Sequence, residues 1–360
     1  MRFIKFMLAA VIAIGIVVAI AVNVPAVQDR LVDQAIRDNV DNRARIAKLF
    51  ADDALRLVVC GSSSPLPSPD RARPCLAVIA GGHFYVVDTG SGSWNTMAML
   101  RMPGERINGV LFTHFHSDHI GDLGEFNLQT WGAGRPTPLQ VYGPEGVARV
   151  VTGFQEAYAL DAGYRTAHHG ADFLPPALEQ MQAHTLTLST DGTPTPAFTD
   201  GDLHVTVFPV DHRPVEPAVG YRFDYKGRSL VISGDTVKSQ NLIKAAHGAD
   251  LLAHEAQDNH LIARIGAVAA EVGRPRYAKI MADIPDYHTT PVQAAESANE
   301  AGVPLLLLYH LNPPPPNPIA ARVFLRGVSA IRKDGVLMAR DGMLIELPLA
   351  GGPAKVSQLH

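Results

Sequence analysis

The stretch Thr113-His114-Phe115-His116-Ser117-Asp118-His119 decides how the rest of this chain is interpreted. It follows a short apolar run at 110–112 and precedes a predicted helix over 121–130. Imidazole and carboxylate side chains are the ligands that zinc and related metals accept. His114 and His116 lie two apart on extended backbone and point the same way, whereas Asp118 and His119 follow the turn and can face a second ion. The 15 histidines of the chain could include a solvated surface cluster, but the full motif in this context favours a two-metal site.

The first 25 residues are predicted to be a transmembrane anchor or a signal peptide. Arg2 and Lys5 precede an apolar run from Phe6 to Val22, close to the roughly 20 residues that span a bilayer. A cleaved signal usually has a shorter apolar core, yet residues 19–21 offer a cleavage site, so both alternatives stay open. The positive-inside rule then predicts a periplasmic or secreted domain. An uncleaved segment, residues 6–22, would contact the inner membrane.

The remainder is predicted to be a helical linker over residues 26–53 and one α/β domain over 54–360. A net charge of −4 without a prominent basic run gives no electrostatic indication of nucleic-acid binding. Near the C-terminus, residues 319–331 are predicted to be helical, residues 335–347 to form a closing hairpin around Asp341-Gly342, and the last residues, from Gly351, to be loose.

The chain has two cysteines. Cys60 ends one predicted strand and Cys75 begins the next, with a turn-rich segment between them. Adjacent strands would bring the two thiols together, and an oxidising compartment would favour a disulfide. Two unpaired buried thiols are the alternative.

Four more candidate residues follow predicted strands. His212 follows the strand at 203–210, Asp235 follows the strand at 229–233 at a glycine turn, and His310 follows the strand at 305–309. A histidine after a strand is usually not a ligand, and Asp235 could instead cap a helix. Asp88, in an Asp-Thr-Gly turn, is predicted to stabilise the metal loop through hydrogen bonds.

In this order, the candidate ligands resemble those of the metallo-β-lactamase fold superfamily, most closely its ribonuclease Z/arylsulfatase-like branch. Three further runs are similar to motifs of that branch: Val219 to Phe223, Ala253-His254-Glu255-Ala256 and His288-Thr289-Thr290. The resemblance implies an αββα sandwich, in which two packed mixed β-sheets are flanked by helices and the metals lie at one edge.

The resemblance also implies the roles of individual residues. Two zinc ions are expected, one bound by His114, His116 and His212, the other by Asp118, His119 and His310, with Asp235 bridging. A water held between the ions would lose a proton near neutral pH and attack the substrate, oriented by Asp118. His288 is the candidate general acid and Glu255 its orienting partner. A predicted capping box at 290–293 places His288 just before a helix, although a loop histidine without a role is the alternative.

Departures from the branch guide the expected substrate. Only 22 residues separate His212 from Asp235, too few for the long tRNA-gripping arm that ribonuclease Z enzymes usually carry there. The expectation is therefore an extracytoplasmic di-zinc hydrolase of small phosphodiesters or aryl sulfate esters, without a nucleic-acid partner and not a typical tRNA-processing enzyme. A lactonase or other acyl hydrolase, including a β-lactamase-like one, is the alternative, and a metal-stabilised module without turnover is a third. The oligomeric state is left open.

Overall fold

The computed structural model describes residues 21–359 and, before them, residues 7, 11, 15 and 18. Most of the predicted anchor or signal peptide therefore lies outside the described residues. Among those described, no helix is both long and apolar enough to cross a membrane. The chain divides into two compact units, residues 1–48 and 49–360. The first unit contains helix α1 (Pro25–Val40), and α2 (Arg43–Leu49) ends at the boundary.

The second unit contains the sheets and the other helices. Its strands are β1 (Ala54–Gly61), β2 (Cys75–Ala80), β3 (His83–Val87), β4 (Gly109–Leu111), β5 (Leu139–Gly143), β6 (Met181–Thr185), β7 (Thr195–Asp200), β8 (Leu203–Val210), β9 (Ala218–Tyr225), β10 (Arg228–Ile232), β11 (Leu251–Gln257), β12 (Leu305–Asn312), β13 (Val336–Met338), β14 (Met343–Pro348) and β15 (Lys355–Gln358). Its helices are α3 (Ser93–Met99), α4 (Ser117–Ile120), α5 (Leu123–Gly132), α6 (Val147–His169), α7 (Pro176–Glu179), α8 (Gln240–Ala246), α9 (Asn259–Glu271), α10 (Pro275–Asp283), α11 (Pro291–Glu300), α12 (Pro318–Phe324) and α13 (Val328–Ile331), with 3₁₀ turns at Gly104–Arg106 and Ile284–Tyr287.

The strands form two mixed sheets. The first has the order β15-β14-β1-β2-β3-β4-β5-β6, and the second has the order β13-β12-β11-β10-β9-β8-β7. In each sheet, parallel pairs such as β4 and β5 or β11 and β12 adjoin antiparallel pairs such as β1 and β2 or β8 and β9. The predicted pair of mixed sheets is confirmed.

The sheets pack face to face, and helices cover their outer faces. Strand β1 is buried along its whole length because its side chains alternate between two apolar layers. Leu55, Leu57 and Val59 join the core between the sheets, whereas Val58 and Cys60 join the layer under helices α3, α5 and α6. Helices α8, α11 and α12 pack on the outer face of the second sheet in the same way. The architecture is the expected αββα sandwich.

The predicted closing hairpin at 335–347 is wrong. Strand β13 pairs with β12 in the second sheet, and β14 pairs with β1 in the first. The turn residue Asp341 instead accepts hydrogen bonds from the backbone N–H groups of Ser62 (3.0 Å) and Ala72 (2.6 Å). The last residues are not loose either, since β15 pairs with β14. β13 and β14 belong to different sheets, and β14 pairs with β1 at the other end of the chain, which a local alternation of side chains does not reveal.

Cys60 and Cys75 form a disulfide, as hypothesised. Strands β1 and β2 are antiparallel neighbours and place the two Cα atoms 4.9 Å apart. Both cysteines are fully buried. The bond closes the segment that carries Pro65 and Leu66, two residues that line the cavity described below.

Replacing both cysteines by alanine should destabilise the domain. The disulfide spans 15 residues, and closing a loop of that size in the unfolded chain is worth about 3 kcal/mol. Alanine keeps the site apolar, so the loss should come mainly from the lost constraint. Urea unfolding of the double variant, compared with oxidised and reduced wild type, measures the change. Equal stability of all three would contradict the expectation.

Candidate metal centre

The candidate ligands come from strand ends that meet at one edge of the sandwich. The loop after β4 carries the residues from His114 to His119, and the second sheet supplies His212 after β8, Asp235 after β10 and His310 within β12. Every one of the seven candidate ligand side chains is buried except that of His116, which is partly exposed. The structure brings all seven predicted ligands together, and their roles as ligands stay a prediction.

A bulge in β12 determines where His310 points. Glu255 of β11 pairs with Tyr309 and Ala256 pairs with Leu311, so His310 is an extra residue without a partner in the ladder. Its backbone φ of +46° is in the left-handed region, which residues other than glycine rarely adopt. The bulge directs the imidazole into the site, where Nε2 lies 3.2 Å from Asp235 Oδ2 and 3.3 Å from Asp118 Oδ2.

Four side chains form the first group of possible ligands: His114, His116, His212 and Asp235. Their ligand atoms all lie within 4.8 Å of one another. His114 Nε2 is 3.0 Å from His116 Nδ1, so both lone pairs are directed at the same space. His114 Nε2 and His212 Nε2 each lie 3.9 Å from Asp235 Oδ2.

The second group contains Asp118, His119 and His310. His119 Nε2 is 3.5 Å from Asp118 Oδ2 and 3.4 Å from Asp235 Oδ2. Asp235 therefore lies between the two groups, within 4 Å of histidines from both. This is the position that a carboxylate bridging two ions would need.

Buried polar atoms without partners test whether the groups suit metal ions. His119 Nε2, His212 Nε2 and Asp235 Oδ1 are buried and have no hydrogen-bond partner among the residues that the structure describes. Such atoms are costly unless something binds them. The other ring nitrogen of each histidine is occupied, since His119 Nδ1 donates to Asp88 Oδ2 and His212 Nδ1 to the Tyr287 carbonyl, both at 2.8 Å. The free lone pairs thus converge, and the donor set fits zinc.

Asp88 supports the metal loop, as predicted. Its carboxylate accepts hydrogen bonds from the Thr113 backbone N–H (2.9 Å), the Thr113 hydroxyl (2.8 Å) and His119 Nδ1. Its φ of +58° turns the carboxylate under the loop. Asp88 therefore fixes the tautomer and ring orientation of His119 without facing the ions itself.

Asp88→Asn should weaken metal binding. Asparagine tolerates the left-handed backbone, but all three groups around the carboxylate donate, so one of them would meet an amide N–H group instead of an oxygen. Loss of such a partner typically costs about 10- to 100-fold in metal affinity. Competition against a chromogenic zinc chelator measures the change. An unchanged zinc affinity would mean that packing alone orients His119.

Burial and charge set the protonation states at the site. Burial holds the pKa of His114 well below its usual value and lowers the pKa of His212 to about 4, so both rings are neutral. Burial by itself would raise the pKa of the Asp235 carboxyl. The neighbouring His310 and His119 outweigh this effect and hold that pKa well below its usual value. Neutral imidazoles around an ionised carboxylate are the forms that bind metal. His119 differs. Burial alone would lower its pKa, but the carboxylates of Asp235, Asp88 and Asp118 outweigh burial and raise that pKa well above the usual value, so this ring would have to release its proton to bind an ion.

His288 and Glu255 also meet at the site. Thr290 forms the predicted capping box with Gln293, which fixes the start of α11 just after His288. Glu255 Oε1 accepts from the Thr289 backbone N–H (2.8 Å) and lies 3.2 Å from His288 Nδ1. Burial alone would lower the pKa of His288, but the Glu255 carboxylate outweighs it and the pKa is raised. A ring nitrogen of His288 also lies within 4.8 Å of ligand-type atoms of Asp235 and His310, close enough for the three to share an ion.

A cavity of about 280 Å³ opens onto these groups. Its polar lining contains His116, Asp118, Asp235 and His288, and its apolar lining, called here the apolar wall, is formed by Pro65, Leu66, Ile280, Met281, Ile284 and Tyr287. This apolar wall was not predicted from the sequence. Among these residues, only Tyr287 lies next to a predicted site residue, since it precedes His288. Its backbone carbonyl accepts a hydrogen bond from His212.

Known proteins resemble this chain in sequence and in fold. The beta-lactamase superfamily domain matches residues 83–311. A ribonuclease Z of Mycobacterium bovis (strain BCG / Pasteur 1173P2) is 36% identical over 262 residues, which cover 72% of this chain and 86% of the relative. Two solved structures share the fold. The metallo-β-lactamase fold protein YhfI of Bacillus subtilis has a TM-score of 0.59 at 19% identity, covering 82% of this chain and 100% of that one. Human tRNase Z, short form, has a TM-score of 0.57 at 22% identity, covering 81% and 98%.

These relatives correct the expected function. Proteins named ribonuclease Z, at 36–37% identity, point to tRNA processing and to an RNA partner. The expectations of a hydrolase of small phosphodiesters or aryl sulfates that is not a typical tRNA-processing enzyme, and of no nucleic acid, are therefore wrong. They relied on a missing arm, on a predicted export segment and on a charge averaged over the whole chain, and none of these describes the surface around the site. The cellular location itself stays a prediction.

The matched domain, the seven converging side chains and the two mixed sheets agree with one another. The identity to the mycobacterial proteins extends over most of both chains. The chain belongs to the beta-lactamase superfamily, has the metallo-β-lactamase fold of a metal-dependent hydrolase, and has homologues named ribonuclease Z.

Proposed function

We propose that this protein is a zinc-dependent endoribonuclease that hydrolyses phosphodiester bonds in tRNA precursors. Its relatives named ribonuclease Z support the substrate class. The observation that carries the chemistry is the position of Asp235, within 4 Å of histidines from two separate groups of ligand-type side chains. Next to them, the paired His288 and Glu255 offer a proton donor to a leaving group.

Each zinc ion would have its own set of side chains. His114, His116 and His212 would hold one ion, and Asp118, His119 and His310 the other, with Asp235 shared. When bound, zinc lowers the pKa of water and stabilises negative charge on the phosphate. Asp88 and the Tyr287 carbonyl would keep the histidine lone pairs directed inward.

The protein's own groups would then guide the protons. Asp118, at the cavity wall, would orient the attacking water. The leaving ribose oxygen departs as an alkoxide, which needs a proton near neutral pH. The raised pKa of His288 keeps its ring protonated and able to supply that proton, and Glu255 holds the ring in place.

The shape of the cavity favours an unpaired strand. Its volume of about 280 Å³ suits a phosphodiester and part of a neighbouring nucleoside. The apolar wall of the cavity excludes water and offers Tyr287 as a surface for a base.

Cleavage of a precursor tRNA tests the proposal. The zinc-loaded protein is incubated with a transcript that carries single-stranded extensions at both ends, each with its own label. Cleavage at one position in an extension, abolished by a chelator and restored by zinc, is expected. A protein that holds zinc but leaves this transcript and other precursor tRNAs intact would overturn the proposed function.

A further inference from the structure

Two helices form a hairpin between β11 and His288. Helix α9 follows β11 directly, α10 follows the turn at Gly273, and a 3₁₀ turn leads to His288. From residue 259 to 283 the hairpin carries four basic residues, Arg264, Arg274, Arg276 and Lys279, against two acidic residues, Glu271 and Asp283. This local excess of positive charge occurs in a chain whose net charge is −4.

The hairpin has an apolar groove on its surface. The groove has a volume of about 350 Å³ and is lined by Leu261, Ile265, Val268, Ala269, Val272 and Tyr277, with Arg264 and Arg274 at its sides. Val268 and Val272 are 46% and 64% exposed. We call this surface, with its flanking arginines, the hairpin groove.

The arginines of the hairpin groove and their neighbour Arg276 are available for a ligand. Arg264 and Arg274 line the groove, Arg276 lies two residues beyond Arg274, and all three are exposed. None of them forms a salt bridge with any residue that the structure describes. The Arg274 guanidinium lies 5.3 Å from the centre of the Tyr277 ring, within the range of a cation–π interaction. Lys279, by contrast, is paired with Asp283.

Helix α10 connects the hairpin groove to the metal cavity. Ile280 and Met281 line the cavity, while Tyr277 on the same helix lines the groove together with Arg274, the residue just before the helix. Tyr277 and Ile280 are three positions apart, about 4.5 Å along a helix axis. Met281, Leu66 and Tyr287 belong to one apolar cluster, so the hairpin is packed against the cavity walls.

We propose that the hairpin groove binds a single-stranded part of the RNA substrate and leads it to the metal cavity. Its arginines would contact phosphates, while Tyr277 and the apolar floor would accept bases, the combination used by proteins that bind single strands. This inference rests on the proposed function. A basic and apolar helix pair also suits an anionic lipid surface. The position of the groove favours RNA, because α10 and the apolar cluster around Met281 place it beside the metal cavity.

Charge and ring variants test the hairpin groove in the full, zinc-loaded chain. R274Q/R276Q removes two unpaired charges, and R322Q/R326Q on or next to α12 is the matched control, since both arginines are exposed. The probes are the labelled precursor tRNA, for KM and for binding by anisotropy, and bis(4-nitrophenyl) phosphate as a small ester. Y277L removes the aromatic ring but keeps an apolar side chain, whereas Y277F keeps the ring. The two variants therefore distinguish stacking on the ring from apolar packing.

R274Q/R276Q should raise KM for the RNA about tenfold. It should leave kcat for the RNA and the rate of hydrolysis of bis(4-nitrophenyl) phosphate unchanged. The slope of log binding constant against log salt concentration should become about 1.4 less steep, because two phosphates of a single strand would lose their contacts. Y277L should weaken RNA binding about tenfold, and Y277F should restore it. The control pair should match the wild type.

Three outcomes would overturn the inference. These are unchanged RNA binding in R274Q/R276Q, equal weakening in R322Q/R326Q, or a loss confined to binding of phosphatidylserine/phosphatidylcholine vesicles. Failure of the proposed function would look different, because the wild type would not cleave the RNA at all. The anisotropy measurements would still decide the role of the hairpin groove in that case.

Discussion

Asp235→Ala should remove bound zinc and abolish turnover. The carboxylate lies 3.2–3.9 Å from four histidine nitrogens that belong to both groups of ligands. Without it, each ion would lose a negatively charged ligand and the histidines would face one another uncompensated. We expect fewer than two zinc ions per chain. The loss in kcat should exceed the roughly 10²- to 10³-fold cost of deleting a single stabilising hydrogen bond.

Zinc per chain, measured by mass spectrometry beside RNA cleavage, tests this expectation. Asp224→Asn provides a matched control, because Asp224 pairs with Arg222 on β9, away from the cavity lining. Thermal unfolding with and without zinc separates metal loss from misfolding, since a ligand stabilises only the state that binds it. Two tightly held ions in the alanine variant would rule out the shared role of Asp235.

His288→Ala should keep the metals and slow RNA cleavage. General acid catalysis is worth about 10²- to 10⁴-fold when the leaving group is a poor one, such as a ribose alkoxide. Nitrophenolate leaves without a proton, so hydrolysis of bis(4-nitrophenyl) phosphate should change little. The raised pKa of His288 also predicts that the wild-type rate falls as pH rises through that pKa, when the acid form is lost. The variant should lack this decline.

Parallel rates on the two substrates, with zinc content, distinguish the roles open to His288. Equal slowing of both substrates would indicate that the side chain binds substrate. A loss of zinc would make it a ligand, which its distance from Asp235 and His310 allows. Glu255→Gln is the companion variant. It keeps an acceptor for the Thr289 N–H but removes the charge beside His288, and it should reproduce part of the effect on RNA alone.

Local sequence predicted the parts of the site that depend on local backbone. The 113–119 loop carries four candidate ligands within six residues, so its geometry follows from one strand and one turn. The capping box at Thr290 and the partnership of Cys60 with Cys75 are equally local, because they need only a helix start or two adjacent strands. Asp88 was predicted correctly for the same reason, as its strand neighbours the motif strand.

Other features depend on contacts between distant segments and were not predictable. The strands β13 and β14 were assigned to one hairpin although they complete different sheets. The apolar cavity wall combines the disulfide loop with α10 and the following 3₁₀ turn, three segments that share no motif. The RNA partner was excluded because of the missing arm, the predicted export segment and the net charge, and none of these reports the arginines on the α9–α10 hairpin.

The bulge at His310 carries a thermodynamic trade-off. A regular β12 would pair fully with β11 and would avoid a left-handed residue, a conformation that costs on the order of 1 kcal/mol or more. It would also turn the imidazole away from Asp118 and Asp235. Selection for stability alone would therefore favour the straight strand, and selection for activity keeps the irregular one. Stabilised versions of this protein found without an activity screen should accumulate changes around residue 310.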